Sequence, residues 1–304
     1  MRWKPIYFFV LILGVSASLS AQQTLVVAQD GSGDHTRIQD AIDAIRDLAL
    51  PSVIQIRNGV YREKLLIPSW KQELTLVGES RQGTIIRWGD HAGQVAPNGK
   101  KRSTFQTYTV QVMGDGVRLQ GLTIENSWCG PGQAVALHVE GDRFMAEDCD
   151  ILGCQDTLYA GDAGSRQYYL GCRISGTTDF IFGSATAIFE NCVVQSKKNS
   201  YITAASTPET QSFGFVFLNC DLTAEKGVDQ VYLGRPWRPF AKTVFIGCRL
   251  GGHIRGKGWH PWPGDSMFPD KEKTAHYAEY GSRGEGALTK DRVFWSHQLT
   301  QGEV

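Results

Sequence analysis

From Val53 onward, short apolar runs alternate with turns rich in Gly, Asn, Asp and Ser. Several runs share one local pattern of strand, turn and strand, namely residues 119–124, 146–151, 169–174, 189–194, 217–222 and 245–250. Aligned on a shared cysteine, with Gly121 in its place at the start, the units follow at intervals of 28, 23, 20, 28 and 28 residues. Strand-rich units at this period predict an all-β fold, a right-handed parallel β-helix solenoid.

The shared cysteine position predicts how the interior is filled. Five of the seven cysteines lie at equivalent places in successive units, namely Cys149, Cys172, Cys192, Cys220 and Cys248. Such a repeat favours an inward-facing stack of small apolar side chains. Adjacent coils lie about 5 Å apart, so stacked cysteines also come within reach of disulfide formation. The unequal intervals predict loops of variable length on one side of the coil, where function usually lies.

The N-terminus has the pattern of a signal peptide over residues 1–21. Arg2 and Lys4 precede an apolar run over residues 6–15, and small residues follow up to Ala21. That run is short for a membrane span, so we expect cleavage and a secreted or periplasmic protein. A membrane anchor or a buried N-terminal strand is the alternative. Residues 22–304 then form a single β-helix domain, with no membrane association after cleavage.

One short helix is predicted near the start of this domain, as a cap on the coil. Thr36 and Gln39 have capping-box spacing. An apolar stripe follows at helical spacing, and Pro51 ends it. The stripe consists of Ile38, Ala41, Ile42, Ile45 and Leu48.

Composition narrows the range of partners. The chain has 31 basic and 31 acidic residues, so its formal net charge is zero and no basic face for nucleic acid is implied. Its seven histidines show no metal-ligand spacing, and we expect no metal site.

Two carboxylates lie at the same distance in sequence from the shared cysteine of their units, which is here called the same phase of the repeat. Asp156 lies seven residues after Cys149, and Asp179 lies seven residues after Cys172. The same count from Cys192 reaches Asn199, so the acid is not a general feature of the repeat. Two carboxyl groups one coil apart cannot both ionise easily; one pKa is raised, and the other needs a nearby cation. This pattern suits acid–base catalysis beside a nucleophile. The alternative is a pair of solvent-exposed turn residues.

Neighbouring motifs offer groups that would complete such a site. Arg235 and Trp237 place a cation and a large aromatic in one short turn. A guanidinium can hold a carboxylate ionised by a bidentate contact. Gln133 lies 22 residues before Gln155, about one coil away, and two amide donors would form an oxyanion hole.

Taken in order, these motifs resemble the pectin methylesterase family over nearly the whole mature chain. The matching segments are Asp-Gly-Ser-Gly-Asp (30–34), Gly-Val-Tyr-Arg-Glu (59–63), Gln-Ala-Val-Ala-Leu (133–137), Gln-Asp-Thr-Leu (155–158), Asp-Phe-Ile-Phe-Gly (179–183), Leu-Gly-Arg-Pro-Trp (233–237) and Gly-Trp-His-Pro-Trp (258–262). The chain departs from the family's usual residues at Thr178, which precedes Asp179, and at Cys154, which precedes Gln155.

The resemblance implies a function and a role for each residue. The substrate is the methyl ester of galacturonate in pectin, the products are methanol and de-esterified pectin, and no cofactor is needed. Asp179 is the nucleophile, Asp156 the general acid and base, Gln133 and Gln155 the oxyanion donors, and Arg235 the residue that orients Asp179. The substrate-binding residues are Trp237, Trp259, Phe182 and Thr109.

Two further expectations accompany the resemblance. Cys172 and Cys192 lie at one phase in adjacent coils of an exported protein, and some bacterial relatives have a disulfide there, so we expect that bond here. We also expect a monomer whose one partner is pectin.

Other functions on a β-helix stay open at this point. A lyase needs Ca²⁺ held by several carboxylates, with a basic group such as Arg235 or Arg238 to abstract a proton. A polygalacturonase inverts with separated acids. A non-catalytic polysaccharide-binding β-helix is a third possibility. An assay for methanol, unsaturated products and reducing ends discriminates among them.

Overall fold

The structure is a computed structural model that describes residues 23–46 and 50–304. The predicted signal peptide and Leu48 lie outside these residues. Within the described residues, no helix is long and apolar enough to cross a membrane.

The regular secondary structure of the described residues consists almost entirely of short β-strands joined by turns and loops. In chain order they are β1 (Gln23–Val27), β2 (Ser52–Ile56), β3 (Gly59–Tyr61), β4 (Leu65–Ile67), β5 (Leu74–Gly78), β6 (Thr84–Trp88), β7 (Val110–Val112), β8 (Arg118–Gln120), β9 (Thr123–Asn126), β10 (Leu137–Val139), β11 (Phe144–Glu147), β12 (Asp150–Leu152), β13 (Leu158–Ala160), β14 (Arg166–Leu170), β15 (Arg173–Gly176), β16 (Ile181–Gly183), β17 (Thr186–Glu190), β18 (Val193–Ser196), β19 (Tyr201–Ala205), β20 (Phe215–Leu218), β21 (Asp221–Ala224), β22 (Tyr232–Gly234), β23 (Lys242–Ile246), β24 (Arg249–Leu250), β25 (His276–Tyr280) and β26 (His297–Gln298).

These strands form three long sheets that wind around one axis. Sheets of 11, 8 and 7 strands run along the coil, and consecutive neighbours in each sheet come from successive turns of the chain. The pairings between named strands are parallel, as β13 with β16 and β16 with β19 show. This arrangement is a parallel β-helix, so the predicted fold class is confirmed.

A left-handed residue marks the same corner of each coil. The residue before each stacked cysteine has a φ between 52° and 63°, as at Asp148, Gly171 and Asn191. Gly, Asn and Asp tolerate this conformation best, which explains the Gly/Asn/Asp-Cys pairs in the sequence. Thr123 pairs with Asp150, so Leu122 and not Gly121 occupies the cysteine position in the first unit. The predicted alignment of that unit was wrong by one residue.

Inside the coil, equivalent residues stack in rows. The ring centroids of Tyr169, Phe189, Phe217 and Phe245 follow one another at 4.7, 4.5 and 4.4 Å, with nearly parallel planes. The five repeated cysteines form a second buried row, as predicted. In-register parallel strands bring equivalent side chains together along the axis, so one residue choice repeats as a ladder.

The predicted Cys172–Cys192 disulfide is wrong, because both cysteines are free thiols. Each thiol instead donates to backbone oxygens. Cys192 donates to Tyr169 and Glu190 at 3.3 and 3.4 Å. The disulfide instead joins Cys129 and Cys154, whose Cα atoms are 5.3 Å apart and which lie outside the ladder.

The N-terminal helix α1 exists but is shorter than predicted. It spans Ile38–Ala44, with Arg37 as its N-cap and no capping side-chain hydrogen bond from that residue. The Thr36–Gln39 capping box is therefore wrong. Glu63 supplies the cap from a distance, since its carboxylate accepts from the N–H groups of Ile38 and Gln39 at 2.9 and 3.1 Å. A contact across 25 residues satisfies the helix end and is not visible in a local pattern.

Candidate active site

The two predicted acids lie at equivalent places in adjacent coils. Asp156 and Asp179 each precede a strand of the seven-stranded sheet by two residues, and those strands, β13 and β16, pair in register from Leu158 and Ile181. Both aspartates have left-handed backbone, with φ of 63° and 48°, a conformation that Asp tolerates. They are 8% and 6% exposed, so they are not solvent-exposed turn residues.

In the next coil, the residue seven positions after the stacked cysteine is no longer equivalent to the two aspartates. The strand partner of Ile181 is Thr203, eleven residues after Cys192, whereas Ile181 itself lies nine residues after Cys172. The coil is therefore two residues longer here. Asn199, which the sequence count placed beside the acids, instead hydrogen-bonds to Asp229 at 3.1 Å.

Arg235 binds Asp179 in a bidentate ion pair. Its Nε and Nη2 atoms donate to the two carboxylate oxygens at 2.9 and 2.6 Å. The guanidinium carbon lies 3.9 Å from the ring centroid of Tyr201 and 3.5 Å from that of Trp262. The guanidinium thus contacts two aromatic rings, which restrict the direction of its donors.

The surroundings of the two carboxyl groups affect their pKa values differently. Burial, reinforced by the nearby Asp179 carboxylate, raises the pKa of Asp156 well above its usual range. Burial also raises the pKa of Asp179, but the Arg235 guanidinium opposes that increase. Among the described residues, Asp179 has a bidentate cation and Asp156 has none, so this environment favours ionisation of Asp179 over that of Asp156.

Lys271 is a second cation at this site, and sequence analysis missed it. Its ammonium lies 4.5 Å from the Trp262 ring centroid and donates to Asp265 at 2.7 Å. Its charge also opposes the increase that burial causes in the pKa of Asp179, to a smaller extent than Arg235 does. Lys271 is almost fully buried in a segment that matches the family motifs only loosely, so local sequence carried no signal for it.

The two predicted amides lie on the same cavity as the acids. This cavity of about 260 Å³ is lined by Thr104, Phe105, Gln133, Gln155, Asp156, Asp179, Phe182, Ala204, Arg235, Trp237 and Trp262. Backbone contacts hold the two amide-bearing segments together, since Ala134 N–H donates to the Gln155 carbonyl at 3.0 Å. The Cys129–Cys154 disulfide joins the same two segments covalently.

A glycine next to Phe182 lets the backbones of two adjacent coils approach closely. Gly183 ends β16 with a φ of 131°, and a Cβ atom there would collide with the carbonyl oxygen of Ala160. Only glycine fits this position without backbone movement. The Asp-Phe-Ile-Phe-Gly segment thus combines an acid, a groove aromatic and a tight coil contact.

Two predicted substrate contacts are wrong. Trp259 is 0% exposed and packs in the interior, with its ring centroid 4.4 Å from that of Tyr277. Thr109 is buried, and its hydroxyl donates to the Glu125 carbonyl at 3.0 Å. Both side chains are fully buried, so neither offers a surface to a sugar. Trp237 and Phe182 do line the cavity.

Comparison with known proteins identifies the family of this fold and cavity. The Pectinesterase family model matches residues 24–303. This chain belongs to the pectinesterase family. The family is one of carboxylic ester hydrolases.

Relatives in this family span most of the chain. Pectinesterase 31 of Arabidopsis thaliana is 38% identical over 91% of this chain and 88% of its own length. The pectin methylesterase from carrot has a TM-score of 0.83 and 33% identity, covering 92% of this chain and 89% of that one. A pectin methylesterase solved in complex with a hexasaccharide has a TM-score of 0.79 and 33% identity, covering 91% of this chain and 93% of that one.

Trp262 is the groove aromatic that the sequence analysis of this pectinesterase missed. It lies three residues after Trp259 in the same Gly-Trp-His-Pro-Trp segment, and the motif alone does not distinguish the two tryptophans. Trp259 pairs with Gly234 in an isolated β-bridge, which turns its ring inward. Phe105 and Tyr159, whose ring centroids are 4.9 Å apart, extend the aromatic lining beyond Phe182.

Across residues 23–46 and 50–304, no group of three or more His, Cys, Asp or Glu residues is placed to hold an ion.

Proposed function

We propose that this protein is a pectin methylesterase that hydrolyses the C6 methyl esters of homogalacturonan, releasing methanol and de-esterified pectin. One observation carries this proposal: an arginine-paired carboxylate and a buried, unpaired carboxyl group share one cavity with two amide side chains. That set supplies a nucleophile, a proton donor and oxyanion donors without further groups.

Asp179 acts as the nucleophile. Its carboxylate is held in place by Arg235, and one oxygen attacks the carbonyl carbon of the ester. The charge that develops on the carbonyl oxygen is stabilised by the side-chain amides of Gln133 and Gln155. Such donors are worth about 10²-fold or more each in rate when they meet the oxyanion.

Asp156 acts as the proton carrier. Protonated in the resting state, it donates its proton to the departing methoxide, which leaves as methanol and yields an acyl-enzyme on Asp179. Asp156, now a carboxylate, accepts a proton from water as that water attacks the acyl carbon. Asp179 leaves as a carboxylate, the product carboxylic acid is released, and both groups return to their starting states.

The aromatic residues that line the cavity bind the sugar rings of the substrate. Trp237 and Phe182 face the cavity with ring centroids 5.8 Å apart, and they offer apolar faces to pyranose rings. The hexasaccharide complex of a 33% identical relative supports a polymeric substrate for this groove. Homogalacturonan is a cell-wall polymer, which agrees with export by the signal peptide proposed for residues 1–21. We propose a monomer as the working form.

The test is an assay of the secreted protein on highly methylated pectin, run with and without excess chelator. We expect methanol release that chelator does not reduce, without absorbance from unsaturated products and without new reducing ends. Unsaturated products that depend on Ca²⁺ would replace this proposal with a lyase. New reducing ends without unsaturated products would indicate a polygalacturonase, and binding without any product would indicate a carbohydrate-binding protein.

A further inference from the structure

His260 is hydrogen-bonded both to the strand that leads into Arg235 and to the groove residue Trp262. Its backbone N–H donates to the carbonyl of Gly234, directly before Arg235, at 3.1 Å. Its side chain accepts a second bond, because the backbone N–H of Trp262 donates to Nδ1 of the imidazole at 3.1 Å. His260 therefore connects the segment that carries the Trp262 ring to the segment that carries the arginine.

The backbone of Trp262 needs such support. Its φ is 57°, in the left-handed region that a bulky residue seldom adopts unless its surroundings impose it. The hydrogen bond to His260 is made by the N–H group of this same residue. The Trp262 ring lies 3.5 Å from the guanidinium carbon of Arg235, so a change in the Trp262 backbone moves a ring that contacts the arginine.

The imidazole also contacts the other aromatic residue that holds Arg235. Its ring centroid lies 5.2 Å from that of Tyr201 and 5.1 Å from that of Tyr232, and these two tyrosine rings stack at 5.5 Å. Tyr201 in turn lies 3.9 Å from the guanidinium carbon of Arg235. Both aromatic contacts of the arginine thus involve His260, one through a hydrogen bond to Trp262 and one through ring packing.

The charges around His260 favour its neutral form. The titratable and charged side chains that face the imidazole are Tyr201, Tyr232, Arg235, Arg255 and Lys257. Burial lowers the pKa of His260, and the three cations of this set lower it further. A nitrogen that accepts a hydrogen bond carries no proton, so the neutral ring has its proton on Nε2. Protonation in acid turns Nδ1 into a donor that faces another N–H, and the bond is lost.

We propose that His260 is a positioning residue: its neutral imidazole holds Trp262 in place, and Trp262 in turn fixes the guanidinium of Arg235 toward the nucleophile. This inference rests on the proposed function. Asp179 attacks from the orientation that Arg235 gives it, so a loosened Trp262 lowers the rate of the chemical step. The contact is present at neutral pH and is lost as pH falls below the ordinary range of histidine titration.

The test uses two substitutions that separate the acceptor from the ring. His260→Phe keeps an aromatic ring against Tyr201 and Tyr232 but has no acceptor. Its kcat on methylated pectin at neutral pH should fall about tenfold, roughly the value of one hydrogen bond. His260→Asn keeps an acceptor oxygen near the position of Nδ1, so its kcat at neutral pH should stay close to that of wild type. His276→Asn is the control, since it removes an exposed imidazole that does not line the groove, and its kcat should not change.

The pH profile separates positioning from a purely structural role. As pH falls, wild type loses both the ionised Asp179 and the neutral His260, whereas His260→Asn loses only the first. The asparagine variant should therefore keep a larger share of its neutral-pH kcat in acid than wild type keeps. The His276→Asn control also removes a histidine whose pKa lies below its ordinary value, and its profile should follow that of wild type.

Nitrogen-15 NMR of the imidazole tests the hydrogen bond without substrate. We expect a neutral ring with its proton on Nε2 at neutral pH. A proton on Nδ1 would overturn the inference, as would wild-type kcat in His260→Phe or an equal loss of kcat in both His260 variants, whatever their melting temperatures. A wild-type protein that releases no methanol rejects the proposed function, and the NMR spectrum then still decides whether Nδ1 accepts the Trp262 N–H.

Discussion

Inside the coil, equivalent positions of successive turns carry the same kind of side chain and pack on one another, whereas at the groove two equivalent aspartates have different partners. One interior row consists of the five repeated cysteines, and another consists of aromatic rings from Tyr169 to Phe245. At the groove, Asp156 and Asp179 share a phase, but only Asp179 has Arg235. The coil thus fixes the spacing between equivalent residues of adjacent turns. The two aspartates differ chemically because only one of them has a cationic partner.

The same contrast appears in the two sets of cysteines. The five in phase are buried thiols that fill space along the axis. The two out of phase, Cys129 and Cys154, form a disulfide between the segments that carry Gln133 and Gln155. The repeated cysteines contribute to packing, whereas the disulfide constrains the segments that carry the two amides. We therefore expect changes in the interior to alter stability and changes at the groove to alter kinetics.

The largest effect is expected from Asp179→Asn. It removes the nucleophile, so methanol release should fall by at least about 10³-fold with the melting temperature kept. Phe217→Ala in the interior row should do the reverse. It should cost about 3–5 kcal/mol of unfolding free energy and leave kcat unchanged below the melting transition. Pectin kinetics and thermal melting on both variants measure this. A Phe217→Ala variant that loses kcat while folded would contradict the separation of the two regions.

Arg235 variants should rank next. Burial raises the pKa of Asp179 and Arg235 opposes it, so Arg235→Ala leaves burial less opposed and that pKa rises further. The acid limb of the kcat/KM profile, where Asp179 becomes protonated, should then move to higher pH. Arg235→Lys keeps the charge but loses the planar fork and the stacking, so activity should fall with a smaller shift of the limb.

The pH profile of wild type and both Arg235 variants on methylated pectin checks this prediction. Arg249→Ala is the matched control, since that arginine forms an exposed bidentate pair with Asp221 at 2.8 and 2.7 Å. An acid limb that stays in place in Arg235→Ala would mean that Asp179 is not the group whose ionisation limits the rate.

A smaller effect is expected from opening the disulfide. Cys129→Ser/Cys154→Ser should lower kcat by about tenfold with KM kept, because loosened amides meet the transition state less well than fixed ones. Cys220→Ala, a ladder variant, should lower the melting temperature and leave kcat unchanged. Reductant should reproduce the effect in wild type and have none in the double variant. Unchanged kcat in both cases would leave the disulfide a purely structural bond.

The smallest effect separates the two tryptophans of the Gly-Trp-His-Pro-Trp segment. Trp262→Phe should raise KM a few-fold, because a smaller ring in the groove removes contact that substrate and transition state share. Trp259→Phe should leave KM unchanged and lower the melting temperature, since its ring packs on Tyr277. The reverse result would return Trp259 to the groove.

The sequence alone determined the coil and much of the site. The recurring Gly/Asn/Asp-Cys pairs revealed the repeat because each coil needs a left-handed residue at one corner. The phase of Asp156 and Asp179 followed from counting, because in-register parallel strands convert equal sequence distance into adjacency. The family motifs then named Gln133, Gln155 and Arg235, which line the same cavity.

Only the tertiary structure decided the rest, because those features depend on contacts between distant segments. Glu63 caps a helix 25 residues away, and Cys129 bonds to Cys154 and not within the ladder. Trp259 and Trp262 are alike in sequence, but a β-bridge to Gly234 turns the first inward while the second covers Arg235. Lys271 reaches the site from a loosely matching loop. The sequence repeat determines where a residue lies along the coil. The direction of a loop side chain depends instead on the residues of other segments that pack against it.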